Sequence, residues 1–404
     1  MFQTMSCDDK NYNIYNQYGN NLMSPVGPVG IIPLLGSAEF SSKVNDFLVQ
    51  RRTEYQELRP EVNEVYPGFM RKDYRIQVSN VRFSSGEGKA VINNTVRGHD
   101  IFIISDVMNY SCTYKMHGLI NHMSPDDHYQ DLKRVILAIS GKARRINVIM
   151  PFLYESRQHK RNARESLDCA HMLEELYGLG INNVITFDAH DERVANAVPT
   201  SGFESIPSAY QILKALFKTT PDLNIKEGGL MVVSPDEGGI SRAMYYASML
   251  GVPLGTFYKR RDYTKVIDGR NPIMAHEFLG DTVEGMDIIV VDDMISSGDS
   301  ILDIARELKS RKANRIFCAT TFGLFTEGLD HFNKAYEEGL ISKVFACNLI
   351  YRRPELLKAP WFVDVDASKF VALLIDAINH DASLSLLMDP TLKIRNLLEK
   401  INNN

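Results

Sequence analysis

Asp292 and Asp293 follow four consecutive β-branched residues, Ile288, Ile289, Val290 and Val291, and precede the hydroxyl-rich turn Ser296-Ser297-Gly298-Asp299-Ser300. Such a β-branched run suits a strand buried on both faces of a parallel sheet. Ile301, Ile304, Ala305 and Leu308 then recur at helical spacing. The turn is therefore expected at the carboxyl end of a strand and the amino end of a helix, where unpaired N–H groups and the positive helix end attract phosphate. Gly298 allows close backbone approach, and Ser296, Ser297 and Ser300 supply hydroxyl donors. Asp292 and Asp293 repel phosphate and need another task. Vicinal sugar hydroxyls, or a hydrated magnesium ion, suit carboxylates beside such a pocket. The spacing is not that of a Walker loop, because no Gly-Lys-Ser/Thr follows the first glycine as that motif requires.

Four more segments place chemistry at the ends of apolar runs. The basic loop Arg157-Gln158-His159-Lys160-Arg161 follows the run 146–150, a position suited to a polyphosphate. Asp188-Ala189-His190-Asp191 follows the run 184–187. Asp236-Glu237-Gly238-Gly239 follows Val232-Val233-Ser234, with an acid fit to cap a helix and glycines that admit a ligand to the backbone. Lys259-Arg260-Arg261-Asp262 ends a further run and opens a polar segment reaching Asp268-Gly269-Arg270-Asn271-Pro272, where glycine and proline signal irregular backbone.

The elements that must position these groups alternate along the chain. Strands are expected at 74–81, 90–94, 101–105, 146–151, 184–187, 230–234, 254–258, 287–291, 316–320 and 344–349. Helices are expected at 39–59, 129–139, 166–177, 209–216, 239–250 and 300–309. This alternation predicts α/β layers with parallel sheets, in about twice the length of one such unit. The expected divisions are an irregular arm at 1–30, a first domain at 31–207, a second at 208–367, and a helical section at 368–404 that packs back on the first. His117, His122 and His128 lie on a polar insertion, 110–128, whose spacing matches no metal motif, so solvated imidazoles are expected.

With 404 residues, 44% apolar and 24% charged, the chain has the composition of a globular protein with room for two cores. A net charge of −5 gives no electrostatic reason to expect nucleic acid. No apolar run is long enough to span a bilayer, and the first residues lack a basic start and apolar core, so a cytoplasmic chain without membrane association is expected. Cys7, Cys112, Cys169, Cys318 and Cys347 are odd in number, widely spaced and in no Cys-x-x-Cys pair. Reduced, mostly buried thiols follow.

The turn from Asp292 to Ser300 resembles the phosphoribosyl-diphosphate loop of type I phosphoribosyltransferases and ribose-phosphate pyrophosphokinases. Together with Arg82-Phe83-Ser84-Ser85-Gly86-Glu87 and the four segments above, in their order over about residues 81–312, it makes the chain similar to the ribose-phosphate pyrophosphokinase family in a long-chain variant. The resemblance implies two doubly wound, mainly parallel-sheet domains of the type I phosphoribosyltransferase-like fold. It implies transfer of the diphosphoryl group of ATP to the 1-hydroxyl of ribose 5-phosphate, with Mg2+. Phe83 and Glu87, on a loop reaching a neighbouring subunit, and Arg157 and Gln158 are the implied ATP contacts. His190 and Asp236 are the implied metal residues, and Lys259 and Arg261 the catalytic cations. Asp292, Asp293, Ser296, Ser297, Gly298, Asp299 and Ser300 would hold ribose 5-phosphate. A homo-oligomer, commonly a hexamer in the family, is implied as well. Ser85, His159, Lys160, Ser296 and Asp299 depart from the family's usual residues, where an acid, an acid, arginine, an acid and glycine are common. Two alternatives stay open: a catalytically silent regulatory subunit of a pyrophosphokinase, and a phosphoribosyltransferase, which leaves the Arg-Gln, His and Lys-Arg-Arg elements unexplained.

Overall fold

A computed structural model describes residues 24–225, 228–261 and 273–402, and describes their side chains except at 259–261, 273–276, 386 and 400–402. Most of the expected arm, residues 1–23, and the polar segment 262–272 thus lie outside the described residues. The chain divides into two units. Unit 1 runs to Pro207 and takes back Asn348–Tyr351 and Asp366–Asp389; unit 2 holds Ser208–Cys347, Arg352–Val365 and the chain from Pro390.

Unit 1 is built on five parallel strands in chain order, Val29–Pro33, Asp100–Ile104, Arg145–Ile149, Asn183–Phe187 and Gly202–Ile206. Asp100–Ile104 is buried at every residue, as its apolar run requires in a parallel sheet. Its one acid is matched: Arg145 donates to both Asp100 carboxylate oxygens at 2.9 and 2.8 Å, and Asn379 adds a bond of 3.0 Å. Helix Pro125–Ile139 starts at a capping box in which Ser124 and Asp127 exchange side-chain and backbone bonds. Helices Ala38–Leu58 and Ser368–Asn379 pack together, and the fully buried Arg52 and Asp376 side chains meet between them at 3.1 Å.

Two antiparallel hairpins stand apart from this sheet, one of Val78–Arg82 with Gly88–Ile92 and one of Thr113–Met116 with Leu119–His122. The second occupies the stretch expected as a polar insertion. His117 and His122 are exposed there, as expected. His128 is not: it is 2% exposed and its Nε2 lies 2.9 Å from the Asn109 carbonyl. The helix turns it inward, and burial holds its imidazole below the ordinary pKa.

Unit 2 has a seven-stranded sheet. Its spatial order is Ile273–Leu279, Leu254–Arg261, Leu230–Ser234, Asp287–Ile295, Ile316–Gly323, Lys343–Cys347 and Phe362–Val365. All neighbours are parallel except the edge strand Ile273–Leu279. The chain starts at Leu230–Ser234, moves outward on one side, then crosses back to Asp287–Ile295 and continues on the other. This reversal leaves a crevice at the carboxyl ends of those two strands. Helix Thr391–Asn402 packs in this unit, on Ala209–Thr219 and Ile240–Leu250.

The strand expected to stop at Val291 continues to Ile295. Ile316–Gly323 runs alongside it and supplies partners as far as Ile295 opposite Gly323, so the two acids lie within the strand. Cys169, Cys318 and Cys347 are buried free thiols and Cys112 is half-buried. Among the described residues no helix is long and apolar enough to cross a membrane.

Candidate functional site

In unit 2 the switch-point crevice is formed by two loops. After Leu230–Ser234, Asp236 Oδ1 accepts from the N–H groups of Gly238 at 3.0 Å and Gly239 at 3.3 Å, and the Ser234 hydroxyl donates to the Asp236 carbonyl at 2.7 Å. A Cβ on Gly239 would lie 2.8 Å from Ser234 Oγ, so glycine lets this turn close before helix Ile240–Leu250. Asp236 does cap the turn, and its carboxylate is fixed at the crevice.

Across from it, the Asp293 N–H donates to Asp292 Oδ1 at 2.8 Å. Asp293 is buried and Asp292 half-buried. Burial, and next the adjacent Asp293 carboxyl, push the Asp292 pKa well above the carboxylate range; Arg242 on helix Ile240–Leu250 pulls the other way. Arg242 had no role assigned from sequence, because only the fold brings its helix to the acid pair.

The chain then turns through Ser296 and Ser297, both half-buried, and the buried Gly298. Gly298 has φ +93°, the left-handed region, and precedes helix Asp299–Ser310. The Ser296 carbonyl accepts from Thr326 N–H at 2.9 Å, tying the turn to the neighbouring segment. Ser297 Oγ accepts from Asp299 N–H at 3.4 Å. Asp299 and Ser300 are exposed in the first helical turn, and Asp299 Oδ1 lies 3.7 Å from His331 Nδ1. The structure thus brings Asp236, Asp292, Asp293 and the run from Ser296 to Ser300 to the ends of two adjacent strands.

Hard carboxylate oxygens suit magnesium, which usually takes one or two protein carboxylates and completes its shell with water and substrate phosphates. Among the described residues there is no group of three or more His, Cys, Asp and Glu placed to hold a metal ion. A cation held here would take water and substrate phosphate oxygens for much of its shell, and the carboxylates of Asp236, Asp292 and Asp293 are of the hard-oxygen type that suits it.

In unit 1 the loop after Arg145–Ile149 is held by its own backbone and by an aromatic stack. Glu155 adopts φ +56°, Ser156 N–H donates to the Leu153 carbonyl at 3.1 Å, and Gln158 N–H to that of Glu155 at 2.8 Å. The Tyr154 ring stacks on Tyr129 at 4.5 Å and 8°, and its hydroxyl donates to Asp126 at 2.6 Å. Arg157 is exposed at the crest. The Gln158 amide donates back to the Ser166 carbonyl at 2.7 Å, so in this conformation it fastens the loop.

His190 is exposed on the next loop, which leaves Asn183–Phe187 through Asp188 at φ +38°. His159 and His190 have ring centroids 5.3 Å apart, and His159 Nε2 lies 3.4 Å from Asp191. Arg193 pairs with Asp191 and, with burial opposing, holds its carboxyl at about 2. The Arg157 loop and the His190 loop therefore meet through His159. Sequence reasoning assigned His159 no contact; its departure from the acid usual in the family was the available signal, with Asp191 now supplying an acid beside it.

Phe83 and Glu87 occupy the tip of the hairpin Val78–Arg82 with Gly88–Ile92. Phe83 is 46% exposed, and Ser85 Oγ donates to Glu87 Oε2 at 3.0 Å. Lys259 and Arg261 end the strand Leu254–Arg261, opposite His276 and Ile273; their side chains lie outside the described residues.

Both α/β units are similar to known proteins. Residues 52–180 match the family described as the N-terminal domain of ribose phosphate pyrophosphokinase, and residues 200–342 match the phosphoribosyl transferase domain. A ribose-phosphate pyrophosphokinase of Vibrio cholerae is 28% identical over 314 residues, covering 76% of this chain and 90% of the relative. One of Mycoplasma pneumoniae is 27% identical over 310 residues, covering 76% and 86%. A crystal structure of phosphoribosylpyrophosphate synthetase from Mycobacterium smegmatis superposes with a TM-score of 0.67 at 18% identity, covering 88% of this chain and 99% of that one, and shows the shared fold. With two α/β units of the type I phosphoribosyltransferase-like fold and both of its domains matched, the chain belongs to the ribose-phosphate pyrophosphokinase family.

Proposed function

We propose that this chain transfers the diphosphoryl group of ATP to the 1-hydroxyl of ribose 5-phosphate, releasing 5-phosphoribosyl 1-diphosphate and AMP. The observation that carries this reading is the unit 2 switch point, where the capping Asp236 and the Asp292 to Ser300 turn share one crevice. The names of the matched relatives support the same activity.

The first turn of helix Asp299–Ser310, with the Ser297 and Ser300 hydroxyls, is suited to the 5-phosphate, because helical N–H groups there lack internal partners. Asp292 and Asp293 are suited to the ring hydroxyls, which donate to carboxylates and relieve the mutual repulsion of the pair. The 1-hydroxyl oxygen then bonds to the β-phosphorus, the bond from that phosphorus to the α,β-bridging oxygen breaks, AMP leaves with the bridging oxygen, and the hydroxyl proton is released. Orientation for in-line attack and neutralisation of developing charge carry most of the rate in such transfers. Lys259 and Arg261 are the cations we assign to that charge, and Arg157 and Gln158 the groups we assign to the nucleotide polyphosphate. When bound, magnesium would neutralise phosphate charge; Asp236 and His190 are the residues we assign to it, the carboxylate as a ligand and the imidazole through water or phosphate, since imidazole is a poor first choice for so hard an ion. Phe83 and Glu87 are assigned to adenine, by stacking and by acceptance from its amino group. A cytoplasmic homo-oligomer, hexameric as in the family, completes the proposal.

Lys259→Ala tests the assignment. Loss of one preorganised charge donor should lower kcat on the order of 10²- to 10³-fold with unchanged folding; near-wild-type turnover removes Lys259 from the account. One observation favours the regulatory-subunit reading instead: Asp299 sets a carboxylate in the helical turn that would receive the phosphate. Absence of turnover by the purified chain, together with its co-purification with a shorter active homologue, would favour that reading.

A further inference from the structure

The hairpin Thr113–Met116 with Leu119–His122 has no part in the chemistry above, yet its turn touches the tip of the hairpin that carries Phe83 and Glu87. The His117 N–H donates to the Ser84 carbonyl at 2.9 Å. Met116 fills the space beside Gly86, where an added Cβ would lie 2.6 Å from its Sδ and 3.3 Å from its Cγ. Behind the tip, the Arg82 guanidinium lies 4.7 Å from the Tyr114 ring centroid and pairs with Asp131 at 3.0 Å and Asp127 at 3.5 Å. Arg82 also donates to the Gly86 carbonyl at 3.4 Å, and the Tyr114 hydroxyl donates to Asp127 at 3.3 Å. Asp127 and Asp131 belong to helix Pro125–Ile139. A continuous line of contacts therefore runs from that helix through Arg82 and Tyr114 to the tip.

A two-stranded hairpin is marginally stable in water without packing; helix Pro125–Ile139 backs the strand Gly88–Ile92, and a tip that must present Phe83 and Glu87 in one orientation gains from support of its own. The tip is tightly turned, with Phe83 N–H donating to the Glu87 carbonyl at 2.8 Å and Gly86 N–H to that of Phe83 at 2.9 Å. Gly86 sits at φ +95°, and Met116 covers its open side. Strand alternation puts Tyr114 and Met116 on this face and Lys115 on the other.

We propose that the hairpin formed by Thr113–Met116 and Leu119–His122 is a clamp on the nucleotide loop, with Tyr114 and Met116 as positioning residues that set affinity for ATP. The inference rests on the assignment of Phe83 and Glu87 to adenine. The clamp orders the tip before the nucleotide arrives, so loosening it adds an ordering cost to nucleotide binding and leaves ribose-phosphate binding unaffected.

The test measures magnesium-ATP dissociation constants by calorimetry, and KM for each substrate with kcat, on the full chain. The variants are Phe83→Ala, Met116→Ala, Met116→Leu, Tyr114→Ala and Lys115→Ala. Met116→Ala and Tyr114→Ala should each weaken ATP binding about five- to tenfold, with the ribose 5-phosphate KM unchanged. Met116→Leu, which keeps the volume, should restore most of the affinity, and Lys115→Ala should behave as wild type. ATP binding unaffected by Phe83→Ala would overturn the adenine assignment itself. ATP binding weakened by Phe83→Ala but within twofold of wild type in Met116→Ala and Tyr114→Ala would overturn the clamp alone, as would parallel changes in both KM values and kcat. Should Tyr114→Ala fail to fold, Met116→Ala decides the matter, because it removes only a half-buried thioether.

Discussion

Gly298 lies flat against the Phe332 ring: a Cβ at Gly298 would stand 2.3 Å from Phe332 Cε2 and 2.6 Å from Cζ. Phe332 is itself fully buried, stacked on Trp361 at 5.3 Å and edge-on to Phe325 at 5.0 Å. The turn proposed to receive ribose 5-phosphate is thus seated on an aromatic cluster that cannot retreat. Gly298→Ala should destabilise unit 2 by about 2–4 kcal/mol, combining overpacking with the cost of a left-handed residue, and raise the ribose 5-phosphate KM at least about tenfold. Adding Phe332→Ala should relieve the clash but not the backbone cost. Urea unfolding with substrate kinetics checks this; a Gly298→Ala protein with unchanged KM would contradict it.

The same turn carries Asp299, exposed and 3.7 Å from His331. Its charge favours the helix start but opposes a bound phosphate. Asp299→Gly should therefore tighten ribose 5-phosphate about two- to fivefold at low salt, with the gain shrinking as salt screens the exposed charge. KM measured across ionic strength is the check, and weaker binding at low salt would show that Asp299 contributes favourably.

Asp292 yields a pH dependence. Burial, then the Asp293 charge, raise its pKa in the folded chain, so the folded state binds this proton more tightly than the unfolded state does. Its contribution to stability is complete below the ordinary carboxylate range and is lost as pH rises through the raised native value. Asp292→Asn, which mimics the protonated form, should lose less stability than wild type across that window. Urea midpoints of the ligand-free proteins at stepped pH test the sign: parallel curves would mean that the acid pair is not strained by burial.

The turn's chemistry was legible in the sequence because a β-branched strand, a glycine and an amphipathic helix are local signals. The extension of Asp287–Ile295 was not, since it depends on Ile316–Gly323 running alongside. The edge strand Ile273–Leu279 was hidden for the same reason: its pairing with Leu254–Arg261 is antiparallel and spans a polar segment. The strand Gly202–Ile206 reads as a turn-rich stretch and becomes a strand only beside Asn183–Phe187. Among site groups, Asp236 and Asp292 were visible as acids after apolar runs. Arg242 beside Asp292 and His159 beside His190 were not, because each contact joins separate elements.

Unit 1 rests on a buried ion pair that no local pattern announces. Asp376 accepts from Arg52 Nε at 3.1 Å and Arg51 Nε at 2.7 Å, with Asp376 and Arg52 wholly buried. Asp376→Ala should destabilise the protein by about 3–5 kcal/mol, because it leaves a buried guanidinium without its counter-charge. Chemical denaturation measures it, and a loss below about 1 kcal/mol would place the pair among weakly coupled charges.

The central claim is the identity of the transferred group, and phosphorus NMR of the purified chain with magnesium, ATP and ribose 5-phosphate reads it directly, with each substrate omitted in turn. The account predicts AMP together with a diphosphate linked to ribose, formed only when both substrates are present. ADP with ribose 1,5-bisphosphate, or free diphosphate, or no product across magnesium and phosphate concentrations, would contradict it.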